Sequence, residues 1–229
     1  MDFGTLHLPV SPEASSPLVW SDVTVNRILV VAALILFFVI LRDFLRLLPL
    51  LTGAIVRSRA NIEIEHSVSQ ARNRNRCAMA MLPVLALLMD RYGLYPAEFL
   101  QALPAEWRVA ACFGVLAACV LLRYLVSLFV QRRKLDGESR LAVHCAMYNY
   151  FLAFMPLMLL TVGVLWIFRA PDSVYRMALW VELIACVCLA LLREWQILAS
   201  KYSPLQTFLY LCALEALPLA CLVVPAVLL

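Results

Sequence analysis

The chain has 229 residues, of which 64% are hydrophobic and 15% are charged. Globular domains average roughly 45–50% apolar and about 25% charged residues, so this composition excludes a soluble globular fold and indicates a protein embedded mostly in a lipid bilayer. The formal net charge of +4 is modest, and the basic residues cluster in particular loops, so they indicate membrane topology and no nucleic-acid partner.

Six segments are apolar enough to cross a bilayer, since a helical span needs about 20 apolar residues. The sequence therefore predicts an all-α integral membrane bundle of six transmembrane helices. The predicted spans cover residues 23–41, 74–92, 109–130, 143–167, 174–192 and 206–228. The second span has the shortest uninterrupted apolar core, from Cys77 to Met89, and it reaches full length if Arg76 and Arg91 extend towards the two interfaces.

Residues 1–22 are predicted to form an exoplasmic N-terminal segment, and residues 23–229 form the six-span transmembrane domain. The longest polar connection, residues 42–76, is basic and is predicted to be cytoplasmic. Within it, residues 42–60 have apolar residues between charges. This pattern fits either a helix lying on the membrane surface or an extension of the first span.

The distribution of Lys and Arg predicts the orientation. With six spans and the N-terminus outside, the cytoplasmic loops collect 13 of the 19 basic residues, as the positive-inside rule requires. Removing the second span would place the basic cluster of residues 132–134 outside, against that rule. Both termini are therefore predicted to be exoplasmic, which means periplasmic in a Gram-negative cell.

Local signals predict how three of the spans pack and begin. In span three, Ala110, Gly114 and Ala118 recur every four residues, and small residues at this spacing predict a helix-packing seam. The short connection at 169–172 predicts that spans four and five are neighbours. Ser203, followed by a proline, predicts the N-cap of span six.

Three polar residues are expected at similar depth inside the bilayer. Glu215 lies about 15 Å from the start of span six, and Arg123 lies about 12 Å from the end of span three. Asn149 is at a comparable level in span four, with His144 nearer the cytoplasm. Because a charge at the centre of a span is costly, we expect an Arg123–Glu215 ion pair, with a further hydrogen bond from Asn149 and an extension through His144.

This polar cluster has three interpretations. It locks helix packing, it carries protons or a transported solute, or it takes part in catalysis. Glu182 is a second intramembrane acid, about 12 Å below the outer end of span five. It is expected either to face an exoplasmic cavity, to pair with Arg176, or to be simply buried.

Sequence motifs for catalysis and metal binding are missing. The chain has neither H-E-x-x-H nor G-x-S-x-G, and no glycine-rich phosphate loop occurs among its six glycines. Glu63, Glu65 and His66 could form a metal site, but a solvated helix face is the preferred interpretation. All eight cysteines lie within or beside apolar segments, and Cys186 and Cys188 are expected on different helix faces. We therefore predict no catalytic residue, no metal, no cofactor and no disulfide framework.

The segment Tyr210–Pro218, Tyr-Leu-Cys-Ala-Leu-Glu-Ala-Leu-Pro, resembles the C-terminal signature of a Bacteroidota family of multispan membrane proteins of unknown function. In that family the pattern reads Tyr-Leu-Cys-Thr-Leu-Glu-Ile-Leu-Pro, so Ala213 and Ala216 depart from it. The stretch 148–150 with Pro156 also resembles the family's middle span. The resemblance implies a Gram-negative inner membrane and includes Glu215 in the family pattern, but it implies no activity.

These observations predict a non-enzymatic integral component of the inner (cytoplasmic) membrane that serves envelope biogenesis or secretion. Its partners would be the lipid bilayer and either a protein subunit or a second copy of the chain. The alternative is a small transporter or permease that uses Arg123, Glu215 and Glu182 along a polar path. An intramembrane enzyme acting on lipid is the third class.

Overall fold

A computed structural model describes residues 20–56, 68–95, 97–131, 137–200, 202–218 and 220. Every regular element in these ranges is helical, which confirms the all-α prediction for this part of the chain. The elements are a 3₁₀ turn at Trp20–Asp22, then α1 (Thr24–Val56), α2 (Val68–Tyr92), α3 (Glu98–Ala102), α4 (Ala105–Gln131), α5 (Gly137–Ile167), α6 (Asp172–Ala199), α7 (Pro204–Leu211) and a π-helical turn (Cys212–Ala216).

Four of the described helices are long and apolar enough to cross a membrane. They correspond to the first, third, fourth and fifth predicted spans, and the apolar stretches are Thr24–Gly53, Ala105–Ser127, Ala146–Ile167 and Asp172–Ala199. The structure therefore supports a membrane protein without reaching the predicted count of six spans. The predicted second span is α2, and the described part of the sixth consists of α7, the π-helical turn and the helical residues that follow it.

The first helix is longer than its predicted span of residues 23–41, since α1 continues to Val56. Residues 42–56 continue the helix of the first span; residues 57–67 lie outside the described part. The extension is held by Phe44, Leu47 and Leu51, which are buried in the core. Their spacing of three and four residues places them on one face of the helix.

The second helix occupies the centre of the bundle and packs against α1, α4 and α5. Its hydropathy is low because polar and basic residues fill its first two turns. The second half is buried all round, however, and residues 84–89 contribute six consecutive buried side chains. A helix surrounded by other helices meets little lipid, so its length in the bilayer is set by its neighbours more than by its own composition.

The fifth predicted span, residues 174–192, is also too short, because α6 continues to Ala199. The last two turns bury Glu194, Ile197 and Leu198, so the basic and acidic pair at 193–194 lies within the helix and not in a loop. The prediction that spans four and five are neighbours is confirmed, since α5 and α6 pack along each other. The turn between them is closed by Ala170, whose N–H donates to Leu165 at 3.1 Å.

The start of α7 follows the predicted capping. Ser203 is the N-cap, and its hydroxyl accepts a hydrogen bond from the N–H of Gln206 at 3.4 Å. Pro204 takes the first helical position, where its missing N–H has no intrahelical partner to lose. Residues 219 and 221–229 of the predicted sixth span lie outside the described part.

The predicted packing seam on span three is wrong for contacts within the described chain. Ala110, Gly114 and Ala118 are all exposed on α4, and a Cβ added at Gly114 would meet no atom within 4 Å. The physical reason is helical phase. Gly114 and Arg123 are nine residues apart, which is about two and a half turns, so they lie on opposite faces. Since Arg123 is buried, the small residues face outward.

One end of the bundle, where α1 and α6 begin and α2 ends, is joined by polar contacts. The indole N–H of Trp20 donates to Asp90 of α2 at 2.5 Å. Arg91 lies over the Trp20 ring at 5.8 Å and contacts Asp172, the first residue of α6, at 3.5 Å. We call this the Trp20 end; these contacts fix how the three helix termini are arranged.

The end of α2 requires a glycine. Gly93 has φ 59°, and a Cβ at this position would lie 3.3 Å from Nη2 of Arg176. Arg176 is itself held in place, because its Nε donates to the carbonyl of Tyr92 at 3.0 Å. The rings of Tyr92 and Tyr175 stack beside this contact, with centroids 5.0 Å apart. A side chain at position 93 would therefore have to displace Arg176 by a few tenths of an ångström, in addition to the strain of a positive φ.

We expect Gly93→Ala to destabilise the protein by about 1–2 kcal/mol, because a left-handed backbone costs this much for a residue with a Cβ. Displacing Arg176 would add to the loss. The measurement is the SDS mole fraction at half-unfolding in mixed micelles, followed by circular dichroism.

Gly114→Ala is the matched control. This residue lies inside α4 with open space around it, and alanine has the higher helix propensity. The control is expected to leave the midpoint unchanged or raise it slightly. Equal midpoints for Gly93→Ala and the wild type would contradict the described α2–α6 junction.

Candidate functional site

Arg123 projects into the bundle from the last third of α4. The inward face of this helix also carries Val109, Cys112 and Ser127, which are buried. These residues are separated from Arg123 by nearly whole numbers of helical turns, so Arg123 lies on the same buried face of α4. Its fractional exposure is 8%, and a guanidinium so far from water requires acceptors close by.

Two glutamates supply those acceptors. Nε of Arg123 donates to Oε1 of Glu215 at 2.7 Å, and Nη2 contacts the same oxygen. Nη2 also donates to Oε1 of Glu194 at 3.2 Å. The predicted contact between Arg123 and Glu215 is therefore present, and both acids are buried, with exposures of 0% for Glu194 and 2% for Glu215. The three side chains, here called the Arg–Glu cluster, link α4, α6 and the π-helical turn.

Glu194 is the member that sequence reasoning missed. Hydropathy ended the fifth span at residue 192, so Glu194 was placed in a loop. A signal was nevertheless present, because Cys186, Ala190, Glu194 and Ile197 recur at intervals of three or four residues. All four are buried on one face of α6. Extending the helix by this period would have placed a carboxylate on the packed face.

The π-helical turn Cys212–Ala216 contains Glu215. A π turn inserts one extra residue into a helix and so rotates the following side chains relative to a regular α-helix. Pro218 comes two residues after its end, and a proline has no N–H for the carbonyl four residues earlier. The N–H of Leu217 donates to Cys212, five residues back. This local widening sets the side of the helix on which Leu214 and Glu215 lie, and both side chains are buried there.

The charges of the Arg–Glu cluster do not balance if both acids are ionised. One guanidinium compensates one carboxylate, and here Nη2 of Arg123 contacts the carboxyl groups of both Glu194 and Glu215. Oε2 of Glu194 is buried and has no hydrogen-bond partner in the described part of the chain. The site therefore holds one carboxyl group that a proton or a cation would satisfy.

An aromatic ring covers the remaining side of the guanidinium. Tyr148 of α5 lies under Arg123, with Cζ 5.6 Å from the ring centroid. The neighbouring Asn149 is buried in the same helix, at the predicted level. Its predicted hydrogen bond to the ion pair stays a prediction. His144 lies in α5 too, but its side chain is outside the described part.

Glu182 belongs to a separate contact. It is half-buried on α6 and accepts a hydrogen bond from the hydroxyl of Thr161 on α5. Its Oε2 is buried without a hydrogen-bond partner among the described residues. The proposed partner Arg176 is instead engaged with the Tyr92 carbonyl. Glu182 thus links α5 to α6 nearer the Trp20 end than the Arg–Glu cluster.

Apolar packing separates these two acidic positions. Glu182 and Glu194 are 12 residues apart on α6, or about 18 Å. Between them, Cys186 and Ala190 are buried against Tyr150 of α5. In the described part of the chain, these packed residues form a small core of their own, and the hydroxyl of Tyr150 accepts a hydrogen bond from Nε of Arg193 on α6 at 3.1 Å.

Other candidate chemistry receives no support from the described residues. Within them, no group of three His, Cys, Asp or Glu side chains could hold a metal ion. The candidate set Glu63, Glu65 and His66 lies outside this part. Cys186 is buried and Cys188 is exposed, which confirms that they occupy different faces. The six described cysteines are all free thiols.

Comparison of the chain with protein-family models, with curated proteins and with solved structures gives no significant match. The arrangement of the Arg–Glu cluster is therefore argued from its own geometry.

Replacing Arg123 by leucine should destabilise the protein by about 3–5 kcal/mol, because two buried carboxyl groups then lose their only described cation. A large fall in the SDS midpoint is expected, measured as for Gly93→Ala. The triple variant Arg123→Leu, Glu194→Leu, Glu215→Leu should recover much of the loss, since apolar side chains of similar size need no charge partner.

Glu194→Gln is the milder control. It removes the uncompensated charge and keeps a polar side chain next to Arg123, so its midpoint should exceed that of Arg123→Leu. A triple variant no more stable than Arg123→Leu would mean that the cluster is not the reason for the loss.

Proposed function

We propose that the protein is a non-enzymatic integral component of a bacterial inner membrane that serves envelope biogenesis or secretion. In this role the Arg–Glu cluster fixes how the helices pack, and the outer surface of the bundle meets a partner subunit or a second copy. Three observations support the proposal: the buried polar core, the short connections between helices and the absence of catalytic motifs in the sequence.

The observation that carries the proposal is the packing of Cys186 and Ala190 against Tyr150, between Glu182 and Glu194. A solute path across the membrane would need continuous polar surface, whereas α6 packs Cys186 and Ala190 against Tyr150 between the two acids. Charged residues that are linked to each other and not to a channel usually secure helix packing. A static core supports a protein that acts through its surface.

That surface offers room for another helix. The outward stripe of Ala110, Gly114 and Ala118 on α4 is exposed, and a Cβ added at Gly114 would meet no atom within 4 Å. Small residues at this spacing allow a second helix to approach closely in a bilayer. The stripe supports a protein partner without naming it.

The experiment is purification in mild detergent followed by mass spectrometry of co-purifying proteins. We expect a stoichiometric partner or a defined oligomer that is retained in the wild type. Gly114→Leu should weaken the association at least several-fold while leaving the SDS midpoint close to wild type, because the change lies on an exposed face. A monomer without partners under every mild condition would count against the proposal.

The proposed topology has six spans and both termini in the periplasm. Support comes from the 13 basic residues that this arrangement assigns to the cytoplasm and from the central position of α2, which can cross the membrane with modest hydropathy of its own. The residues before position 23 and after position 228 would then share one side of the membrane.

Reporter fusions test this topology. Alkaline phosphatase, active only in the periplasm, should be active after residue 170 and inactive after residue 136. Green fluorescent protein, active in the cytoplasm, should show the reverse pattern. Phosphatase activity after residue 136 together with none after residue 170 would contradict the second span.

The second candidate is a small transporter or permease, and the observation that favours it is Glu194. A buried carboxyl group beside a salt bridge is a common element of proton relays. If the protein has this function, vesicles that contain it should leak protons. Glu194→Gln should abolish the leak. Proton-tight vesicles would leave the first proposal as the better explanation.

A further inference from the structure

A groove with a volume of about 990 Å³ runs along the outside of the bundle between α1 and α2. It lies on the opposite side of α2 from the buried core residues and is separate from the Arg–Glu cluster. Its walls divide into a polar and an apolar half. The lining residues are Leu36, Ile40, Ala71, Arg72, Asn75, Arg76, Met79 and Ala80.

The polar half presents two cations. Arg72 and Arg76 are exposed and lie one helical turn apart, so their side chains project from the same face of α2. In the described part of the chain, neither makes an ion pair, and no acidic residue lines the groove. This half therefore attracts an anion.

A buried arginine orients a further donor beside them. Nε and Nη2 of Arg74 donate to Oδ1 of Asn75 at 3.1 and 2.9 Å. Asn75 lines the groove, and because its oxygen accepts from Arg74, its NH₂ group is the part of the amide that can donate to a ligand. Two guanidinium groups and an amide N–H match the oxygen atoms of a phosphate diester.

The apolar half continues from this polar half along both helices. Met79 and Ala80 come one turn after Arg76 on α2, and Leu36 and Ile40 face them from α1. From Ala71 to Ala80 the groove follows α2 for about 13 Å. A phosphate at one end and an alkyl chain along the other half would occupy such a shape.

The groove lies at the depth in the bilayer where a lipid headgroup meets its acyl chains. Ile40 lies 16 residues after the start of α1, or about 24 Å along it, and the hydrocarbon core is about 30 Å thick. The charged residues Arg42 and Asp43 follow directly. The arginines of the groove are therefore near one headgroup layer, while the apolar half points into the hydrocarbon.

We propose that this groove is a binding site for an anionic phospholipid, whose phosphate contacts Arg72, Asn75 and Arg76. One acyl chain lies against Leu36, Ile40, Met79 and Ala80. Phosphatidylethanolamine carries an ammonium group that two nearby arginines would repel, so the site prefers the net negative headgroups of phosphatidylglycerol or cardiolipin. The proposal depends neither on the number of spans nor on the role in envelope biogenesis.

The test is native mass spectrometry of the full chain, released from micelles that contain graded amounts of phosphatidylglycerol or phosphatidylethanolamine. The wild type should retain phosphatidylglycerol preferentially. Arg72→Gln with Arg76→Gln should weaken its apparent affinity by about 25-fold, at about 5-fold for each cation near the headgroup layer. Met79→Trp, which fills the apolar half, should weaken it several-fold without changing the charge.

Arg42→Gln with Arg46→Gln is the matched control, because it removes the same charge from exposed positions on α1 that do not line the groove. It should retain most of the wild-type affinity. Equal losses in both double variants, or no preference of the wild type between the two lipids, would overturn the proposal. Competition by chain-free glycerophosphoglycerol as strong as that by the lipid would assign the site to a soluble phosphate ester instead.

Discussion

The contact of Arg123 with Glu194 and Glu215 constrains three helices at once. A guanidinium inside an apolar bundle cannot be hydrated, so each helix that contributes to the contact must adopt one rotation about its axis and one height. For α4 this rotation turns Ala110, Gly114 and Ala118 outward. For α6 it requires the helix to continue past the point where hydropathy ends, because Glu194 is buried in its penultimate turn.

The same contact explains an irregularity near the end of the chain. The helix after Ser203 is regular as far as Leu211 and then widens into the π turn that holds Glu215. A helix that carries a proline at 218 already lacks one backbone hydrogen bond in this region, so a change of pitch costs less here than elsewhere. The polar contact and the altered pitch therefore occur at one place.

The two ends of the bundle are stabilised in different ways. At the Trp20 end, stacked tyrosines, a glycine turn and contacts of Arg91 and Arg176 join α2 to α6. At the other end of α2, Arg74 is buried, whereas Arg72 and Arg76 remain exposed beside an apolar groove. The charged residues that stabilise the fold are thus buried or held in contacts with other residues. The exposed Arg72 and Arg76 are accessible to an anionic ligand.

The sequence alone determined the helical class and the membrane environment, because both rest on local composition and on the length needed to cross a bilayer. It also identified Arg123 and Glu215 as partners, since a lone charge in a span demands one. The N-cap at Ser203 and the neighbouring positions of α5 and α6 followed from short-range geometry as well.

Tertiary structure decided what local composition could not. Helix ends moved past the hydropathy limits because buried faces of α1 and α6 continue beyond them, and packing with neighbours replaces lipid as the apolar environment. The same dependence placed Glu194 in the Arg–Glu cluster. The small residues of the predicted seam face outward because they and Arg123 could not both face inward on one helix, and only the position of the two carboxylates decided which of them did.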